Sequence, residues 1–464
     1  MSNKNFVLIA IFFYSMSEGF AQGPAQDTTT VFQYDPVGNL TRVTDSLNHS
    51  QTFIYDPLHR RKEIVDAKNG RTTFEYDARD NLIKVVDQRL LVTTYHPNLA
   101  GLTTETVSPD SVVEKAIFGS SDLLGCFSDR SGDARILYDS LGRAYQIGYS
   151  DGRIIKYDYD IGTFGIGRLG KITDQSGSID FEYNQDGQVV SETRLLDGKS
   201  YSTAYRYEDS GLLKSMTYPS GRVVNYSRDY EGRVISISTV KDGITLPAIL
   251  DVKYEPFGGL TSITFGNGQV SKKTYDLSGR ILNYSLADKV FDVGYDGASR
   301  VVSLSIPGNA QPLITYGYDE QNQLTSYITG NSAINYSYDS AGNRSRKFSG
   351  LTNHLYTYKV TSNHLDKITG TDTKTFISDS RGSITKKDQI SFTYDVALRM
   401  QTATTQSGTT TYTVNALGQR VVKSTPSSKI LFHYDIEGRL IAESGGQTDV
   451  EYIFLENLPV AVMR

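Results

Sequence analysis

Aspartates recur at regular intervals along this sequence, and paired carboxylates could in principle act as the acid and base of glycoside hydrolysis. Most of them follow a tyrosine and open a four-residue stretch D-x-x-G. An aspartate at the first position of a turn accepts backbone N–H groups locally, and a residue repeated in every unit cannot be a unique acid or base. We therefore interpret these carboxylates as turn-capping groups. The clearest are Asp35, Asp56, Asp77, Asp139, Asp276, Asp339 and Asp435.

The other residue types that could do chemistry lack the spacing that chemistry needs. The histidines show no H-x-x-x-H or H-E-x-x-H spacing of a zinc site, glycine-rich calcium-binding nonapeptides are missing, and no G-x-S-x-G or phosphate-binding loop leads into a helix. The sequence therefore predicts no catalytic, cofactor-binding or metal-ligating residue and a protein that is not an enzyme, with a reaction inside a lumen as the weakest alternative. The histidines are His49, His59, His96, His354, His364 and His433.

Arginines that follow the turn glycine, such as Arg143, Arg280 and Arg439, leave two interpretations open. They pair with the turn aspartates, or they are simply solvated. Exposed ion pairs contribute only about 0 to 1 kcal/mol. We expect these arginines to serve solubility and local order.

All these residues belong to a unit of about 21 residues that repeats over almost the whole chain. Tyr34, Tyr55 and Tyr76 lie 21 residues apart, and later copies lie 20 apart. Residues 90–135 and 241–250 match the unit least, and we expect longer loops or degenerate hairpins there. The clearest copies are residues 32–40, 53–61, 74–82, 136–144, 273–281, 336–344 and 432–440.

Each unit is most simply a β-hairpin around a type I turn, because D-x-x-G has the residue preferences of that turn. The fourth position needs a left-handed backbone, which glycine adopts freely. Where glycine is replaced, His59, Asp80 and Asn322 come from the side chains enriched at positive φ. Ser299 and Leu398 do not follow this rule, so irregular hairpins are expected at those two positions.

The spacing of apolar residues predicts the strands on both sides of each turn. Aromatic residues two apart, such as Phe32 and Tyr34, lie on one face of a strand. After the turn, apolar residues are three apart, as in Leu40 and Val43, which predicts a bulge at the hairpin exit. No sustained helical period is present. The sequence thus predicts an all-β fold.

About twenty hairpins in series would give about 40 strands, and neighbouring strands rotate by about 20 to 25°. The ribbon must therefore coil. We expect a spiralled β-ribbon that forms a hollow shell or a partial or closed barrel. Tyrosine suits such a wall, since its ring packs while its hydroxyl reaches water.

Composition and charge limit the function and the domain organisation. The chain has 464 residues and a net charge of −5, which offers no basic surface for nucleic acid. Residues 1–21 have the pattern of a secretory signal peptide, whose apolar run is shorter than the about 20 residues of a membrane-spanning helix, so no stable membrane span is expected. Residues 22–29 form a short linker and residues 30–464 the repeat domain. The single cysteine, Cys126, cannot form an internal disulfide. We therefore expect a secreted or cell-envelope protein.

The repeated Y-D-x-x-G-R unit resembles the YD repeats of RHS proteins, the shells of bacterial polymorphic toxins, and of their relatives in the toxin-complex cocoon and the animal teneurins. Residues 432–464 resemble the start of the RHS-associated core. The resemblance implies a hollow β-shell around a C-terminal effector. The self-cleavage aspartates and toxin domain that follow in that family have no counterpart before Arg464. The effector is therefore expected to be missing or to lie on another chain.

These observations predict a non-catalytic secreted or cell-surface shell protein, the encapsulating part of a polymorphic toxin system. Its expected partner is a toxin cargo or a C-terminal effector on another chain, and no cofactor is expected. The alternative is a cell-surface adhesion or carbohydrate-binding module, because rows of exposed tyrosines can stack on the sugars of a surface glycan.

Overall fold

The computed structural model describes residues 29–464, except residues 112, 120–122, 130, 131, 257 and 287. The expected signal peptide, residues 1–21, and linker residues 22–28 lie outside the described residues. Every regular element in the described part of the chain is a β-strand. The all-β prediction is confirmed. A search of the same residues for an apolar helix of membrane-spanning length finds none.

Forty-two strands follow one another along the described residues. The first twenty-one are β1 (Val31–Tyr34), β2 (Leu40–Thr44), β3 (Ser50–Tyr55), β4 (Arg61–Val65), β5 (Arg71–Tyr76), β6 (Leu82–Val86), β7 (Val92–Pro97), β8 (Thr103–Val107), β9 (Glu114–Phe118), β10 (Leu124–Asp129), β11 (Gly132–Tyr138), β12 (Ala144–Tyr149), β13 (Ile154–Tyr159), β14 (Leu169–Asp174), β15 (Gly177–Tyr183), β16 (Val189–Leu196), β17 (Lys199–Tyr207), β18 (Leu213–Thr217), β19 (Val223–Arg228), β20 (Val234–Lys241) and β21 (Ile244–Tyr254). The others are β22 (Leu260–Phe265), β23 (Val270–Tyr275), β24 (Ile281–Leu286), β25 (Lys289–Tyr295), β26 (Val301–Ser305), β27 (Ile314–Tyr318), β28 (Leu324–Thr329), β29 (Ser332–Tyr338), β30 (Arg344–Ser349), β31 (Thr352–Tyr358), β32 (Leu365–Gly370), β33 (Lys374–Ser378), β34 (Ile384–Lys387), β35 (Ile390–Tyr394), β36 (Met400–Thr405), β37 (Gly408–Val414), β38 (Arg420–Ser424), β39 (Lys429–Tyr434), β40 (Leu440–Ser444), β41 (Val450–Leu455) and β42 (Leu458–Met463).

The strands form one 42-stranded antiparallel sheet in which each strand pairs with its neighbours in sequence. Two kinds of turn alternate along it. We call the turn that begins with the repeat aspartate the YD turn, and the turn that joins one repeat to the next the return turn. Among the described strands, β1 and β42 are the two edges and do not pair with each other. The ribbon is therefore open, which decides between the expected alternatives of an open spiral and a closed barrel.

The turn geometry confirms the hairpin prediction. In the turn between β1 and β2, the N–H of Gly38 donates to the carbonyl of Asp35 at 3.0 Å, and Gly38 has a φ of 93°. The three substitutes for glycine, His59, Asp80 and Asn322, have φ values of 63°, 68° and 63°. The fourth position is thus left-handed even where glycine is absent.

The expectation of irregular hairpins at Ser299 and Leu398 is wrong. Both residues adopt the same left-handed conformation, with φ values of 62° and 56°. The N–H of each still donates at 3.0 Å to the carbonyl of its turn aspartate, Asp296 and Asp395 respectively. A left-handed backbone costs an ordinary residue about 1 to 2 kcal/mol. The hydrogen bonds of the turn and of the flanking strands hold it there.

The predicted bulge and the weakly matching segments are also resolved. Gln33 pairs with Arg42 and Tyr34 with Leu40, so Thr41 is the extra residue of a bulge. The segments 90–135 and 241–250 are degenerate hairpins and not long loops, because their described residues continue the same strand series through β7–β11 and β20–β21.

The ribbon coils until it meets itself. Hydrogen bonds join residues from 225 apart in sequence, for Arg194 and Gln419, to 274 apart, for Arg89 and Asn363. The row of contacts between the first and second turn of the coil is called the seam below. The coiling prediction is confirmed.

Little of this ribbon is buried. The accessible surface is 27429 Å², whereas a compact monomer of this length exposes about 17,000 Å². The residues that the structure does not describe would add at most about 160 Å² of accessible surface each, which is too little to explain the excess of about 10,000 Å². The chain is therefore far less compact than a globular domain, and its largest apolar core lies around β17–β22.

Candidate functional site

The repeat aspartates cap their own turns. Oδ1 of Asp56 accepts the N–H groups of Leu58 and Arg60 at 2.9 and 3.0 Å, and Oδ2 accepts Nε of Arg60 at 2.7 Å. The hydrogen bond from the Arg60 side chain is the main cause that holds the pKa of Asp56 below its ordinary value. The turn-capping interpretation is thus confirmed for these carboxylates. That none of them acts in catalysis stays a prediction.

The post-turn arginines do pair with the turn aspartates, and they also connect neighbouring hairpins. Nη1 of Arg60 donates to the carbonyl of Asp77 at 2.9 Å and to Oδ1 of Asp80 at 2.8 Å, and its guanidinium lies 4.9 Å from the ring centre of Tyr76. Arg143, Arg280, Arg300 and Arg439 are arranged in the same way. The sequence showed the pair but not this bridge between repeats.

The tyrosine before each turn makes a second connection between repeats. The hydroxyl of Tyr55 donates at 2.9 Å to the carbonyl of Leu40, the residue beside the bulge of the preceding hairpin. The hydroxyl therefore has a backbone partner in the preceding repeat, a bond that the repeat pattern did not predict. The same bond is made by Tyr76, Tyr138, Tyr159, Tyr183, Tyr207, Tyr254, Tyr275, Tyr295, Tyr318, Tyr338, Tyr358, Tyr394 and Tyr434.

The histidines lie in separate places. His49, His96 and His354 each approach one carboxylate, His59 contacts Asn39, His364 contacts the carbonyl of Asp110, and His433 contacts Ser444. Over the described residues, no group of three or more His, Cys, Asp or Glu side chains could hold a metal ion.

The seam follows a rule. Return turns that lie in the first turn of the coil contact YD turns that lie in the second turn of the coil. Nζ of Lys68 lies 2.5 Å from Oδ2 of Asp319, and Nη1 of Arg153 lies 2.6 Å from Oδ2 of Asp395. Oδ1 of Asp110 accepts the N–H of Asn363 at 2.5 Å. Polar and ionic contacts therefore hold most of the seam.

The two turns of the coil also meet in an apolar contact near the end of the described chain. We call the contact between β16–β19 and residues 419–455 the junction. Ile441 and Ile453 are fully buried against a cluster that includes Met216, Tyr218 and Val224. The hydroxyl of Tyr218 donates to the carbonyl of Tyr452 at 2.8 Å. At the junction the two turns thus share one hydrophobic core.

Charged groups are buried at the junction as well. Nε of Arg222 donates to Oε2 of Glu451 at 2.6 Å, and only 6% and 4% of these residues is exposed. Arg194 pairs with the almost fully buried Glu192 and donates through Nη1 to Oε1 of Gln419 at 2.7 Å. Burial raises the pKa of Glu192. Sequence reasoning missed these residues, because partners more than 200 positions apart leave no periodic signal.

Two family models match parts of the chain. The Teneurin YD-shell model matches residues 288–403, and the RHS Repeat model matches residues 34–69, 55–89 and 207–245. A search among curated proteins finds no match.

Solved structures of toxin complexes have a similar fold. The crystal structures of TcdB2-TccC3-TEV and TcdB2-TccC3 both have a TM-score of 0.74 and 14% identity, with 92% of this chain and 28% of that chain covered. The Tc holotoxin pore of Photorhabdus luminescens has the same TM-score and identity, with 92% and 27% covered. The chain thus spans less than a third of the length of these structures. The resemblance to the RHS/YD-repeat family is confirmed by family models for parts of the chain, and the similar structures share the fold over 92% of it.

Proposed function

We propose that the chain is a non-catalytic shell that encloses a protein cargo, as the encapsulating part of a toxin system. The observation that carries the proposal is the single ribbon of 42 strands that coils back onto itself along a seam, with far more surface than a compact chain has. The seam and the bridges between repeats use the polar residues of the repeat for construction. Because these residues hold the ribbon together, they support a structural role for the repeats.

The cargo would be an effector that follows in the same chain or is carried by another chain. The similar structures include a Tc holotoxin pore and a TcdB2-TccC3 structure without its hypervariable C-terminal region, which supports this assignment. The strands β40–β42 pack against one face of the ribbon around β17–β22. We propose that this face is the inner one. Secretion to the cell exterior, expected from residues 1–21, is part of the same proposal.

Two measurements test the shell. Small-angle scattering should give a radius of gyration well above the about 23 Å of a compact chain of 464 residues. A protease-sensitive tag placed after Arg464 should be cut more slowly than the same tag placed before Thr29. A compact radius would contradict the hollow ribbon. Equal cleavage of the two tags would contradict an inner position for the C-terminal strands.

A second candidate function is glycan binding at the surface. A groove of about 770 Å³ between neighbouring hairpins is lined by Tyr207, Lys214 and Asn225 among other polar residues, a composition that suits sugar hydroxyls. A glycan array tests it. Signal that falls on replacing Asn225 with Ala would support this role, and an array without signal above background would remove it.

A further inference from the structure

The junction contains a histidine whose burial fits only its neutral form. His433, on β39, is 3% exposed. Its Nε2 lies 2.8 Å from Oγ of Ser444, its Nδ1 has no partner, and its ring centre is 4.5 Å from that of Tyr201 on β17. The histidine therefore contacts both turns of the coil at the place where they share a core.

The charged groups around His433 come from several elements. Arg194 on β16 faces it and carries the same charge as a protonated imidazole would, whereas Asp449 opposes that effect. Glu192 pairs with Arg194, and Asp435, paired with Arg439, lies near Glu192. Lys429 pairs with Asp197 at the exposed margin of the junction. Among the described residues, the hydrogen-bond partner of the imidazole is the neutral hydroxyl of Ser444.

Burial, reinforced by Arg194, lowers the pKa of His433 to about 4 from its ordinary 6.5. A group whose pKa is lowered by the closed structure binds its proton more readily when that structure opens. The stabilisation that neutral His433 gives is therefore complete above about pH 6.5 and is lost as the pH falls toward 4. The ratio of closed to open junction should fall by about 100-fold between pH 7 and pH 4, and by about 300-fold in all once the pH is well below 4.

We propose that the junction is a proton-operated latch, which releases residues 419–455 from β16–β19 when His433 is protonated. The rest of the ribbon keeps its strand pairing, because the latch carries only the contacts between the two turns of the coil. This inference goes beyond the shell function and does not depend on the identity of a cargo.

Glu192 acts in the opposite direction. Burial raises its pKa, so the closed junction takes up a proton there on acidification and gains stability. The latch proposal therefore predicts opposite changes in the pH profile when the two residues are made non-titrating. His433→Gln should abolish acid release, and Glu192→Gln should remove the opposing effect and make acid release steeper.

Hydrogen exchange on the whole protein tests the latch. From pH 7 to pH 4, after correction for intrinsic exchange rates, peptides from residues 440–444 and 450–455 should lose protection by about 100-fold. Peptides from residues 50–76, which lie outside the junction, should not change. His433→Gln should keep its protection at pH 4, whereas the control His96→Gln, at a largely exposed histidine, should behave like the unmodified chain.

Three results would overturn the proposal. They are unchanged protection of the junction at pH 4, loss of protection that persists in His433→Gln, or equal loss in residues 50–76, which would show global unfolding. Should His433→Gln not fold, NMR titration of the imidazole in the unmodified chain decides the matter. A His433 that titrates near 6.5 while the junction stays protected would exclude the latch, and one that titrates only as protection is lost would support it.

Discussion

Removing one partner of the buried pair between Arg222 and Glu451 gives the sharpest test of the seam. Glu451→Gln would leave the guanidinium of Arg222, which is 6% exposed, without a counter-charge. An unpaired buried charge costs about 3 to 5 kcal/mol. The hydroxyl of Ser220, which also donates to Glu451, keeps an amide oxygen as acceptor, so the loss arises mainly from Arg222.

The size of this effect can be converted into a melting temperature. Unfolding entropy is about 2.1 cal/mol/K per residue, or about 1 kcal/mol/K for a chain of 464 residues. A loss of 3 to 5 kcal/mol therefore lowers the Tm by about 3 to 5 °C. Differential scanning calorimetry measures this shift, and hydrogen exchange should show the largest loss of protection in β41.

A double variant separates the lost pair from the lost charge. Arg222→Met combined with Glu451→Leu removes both charges and keeps apolar volume, and such replacements are often neutral or stabilising. The double variant should therefore melt close to the unmodified chain. If Glu451→Gln melts like the unmodified chain, or if the double variant is as unstable as the single one, the two side chains do not form a buried pair.

Other perturbations test the repeat itself. Gly279→Val should lower the free energy of unfolding by about 1 kcal/mol or more, since the φ of 76° at this position is unfavourable for a β-branched residue. The cost is conformational, because no atom lies within 4 Å of the added Cβ. An unchanged melting temperature would refute the turn geometry. Tyr55→Phe should lower the free energy of unfolding by about 0.5 to 1.5 kcal/mol, because it removes the hydrogen bond to the Leu40 carbonyl. The control Tyr34→Phe, at an exposed tyrosine on the edge strand, should lower it less. Equal denaturant midpoints of the two variants would count against the inter-repeat bond. Hydrogen bonds hold the pKa of Asp56 and Asp139 below the ordinary value, so they stabilise the turns while the carboxylates are ionised, above about pH 4. Thermal melts followed by circular dichroism should therefore show a melting temperature that falls as the pH drops below about 4. A melting temperature that stays constant from about pH 5 to 2 would contradict this prediction.

The sequence was sufficient for everything that is local. The hairpin, the left-handed turn position and the bulge all arise within one repeat, so the residues of a single copy such as 32–43 predict them. Ser299 and Leu398 show the limit of that reasoning, because the strand pairing on both sides overrides the preference of one residue.

The contacts between turns of the coil could not be predicted from the pattern. Arg222 and Glu451 are 229 residues apart, and their partnership depends on how many repeats complete one turn of the coil. Curvature sets that number, and curvature accumulates from small strand rotations that no residue encodes alone. The inter-repeat bond of Tyr55 was missed for a related reason, since its acceptor is a backbone carbonyl and leaves no trace in the sequence.

The seam also restricts how such a chain can change its length. Outside the junction, return turns in the first turn of the coil meet particular YD turns in the second, as Lys68 meets Asp319 and Arg153 meets Asp395. Duplication or deletion of a single repeat between the paired turns would shift the register of all these pairs by one repeat at once. Proteins with this ribbon should therefore gain or lose repeats chiefly outside the segment between paired turns of the seam. A change within that segment should be accompanied by substitutions at many of the paired residues.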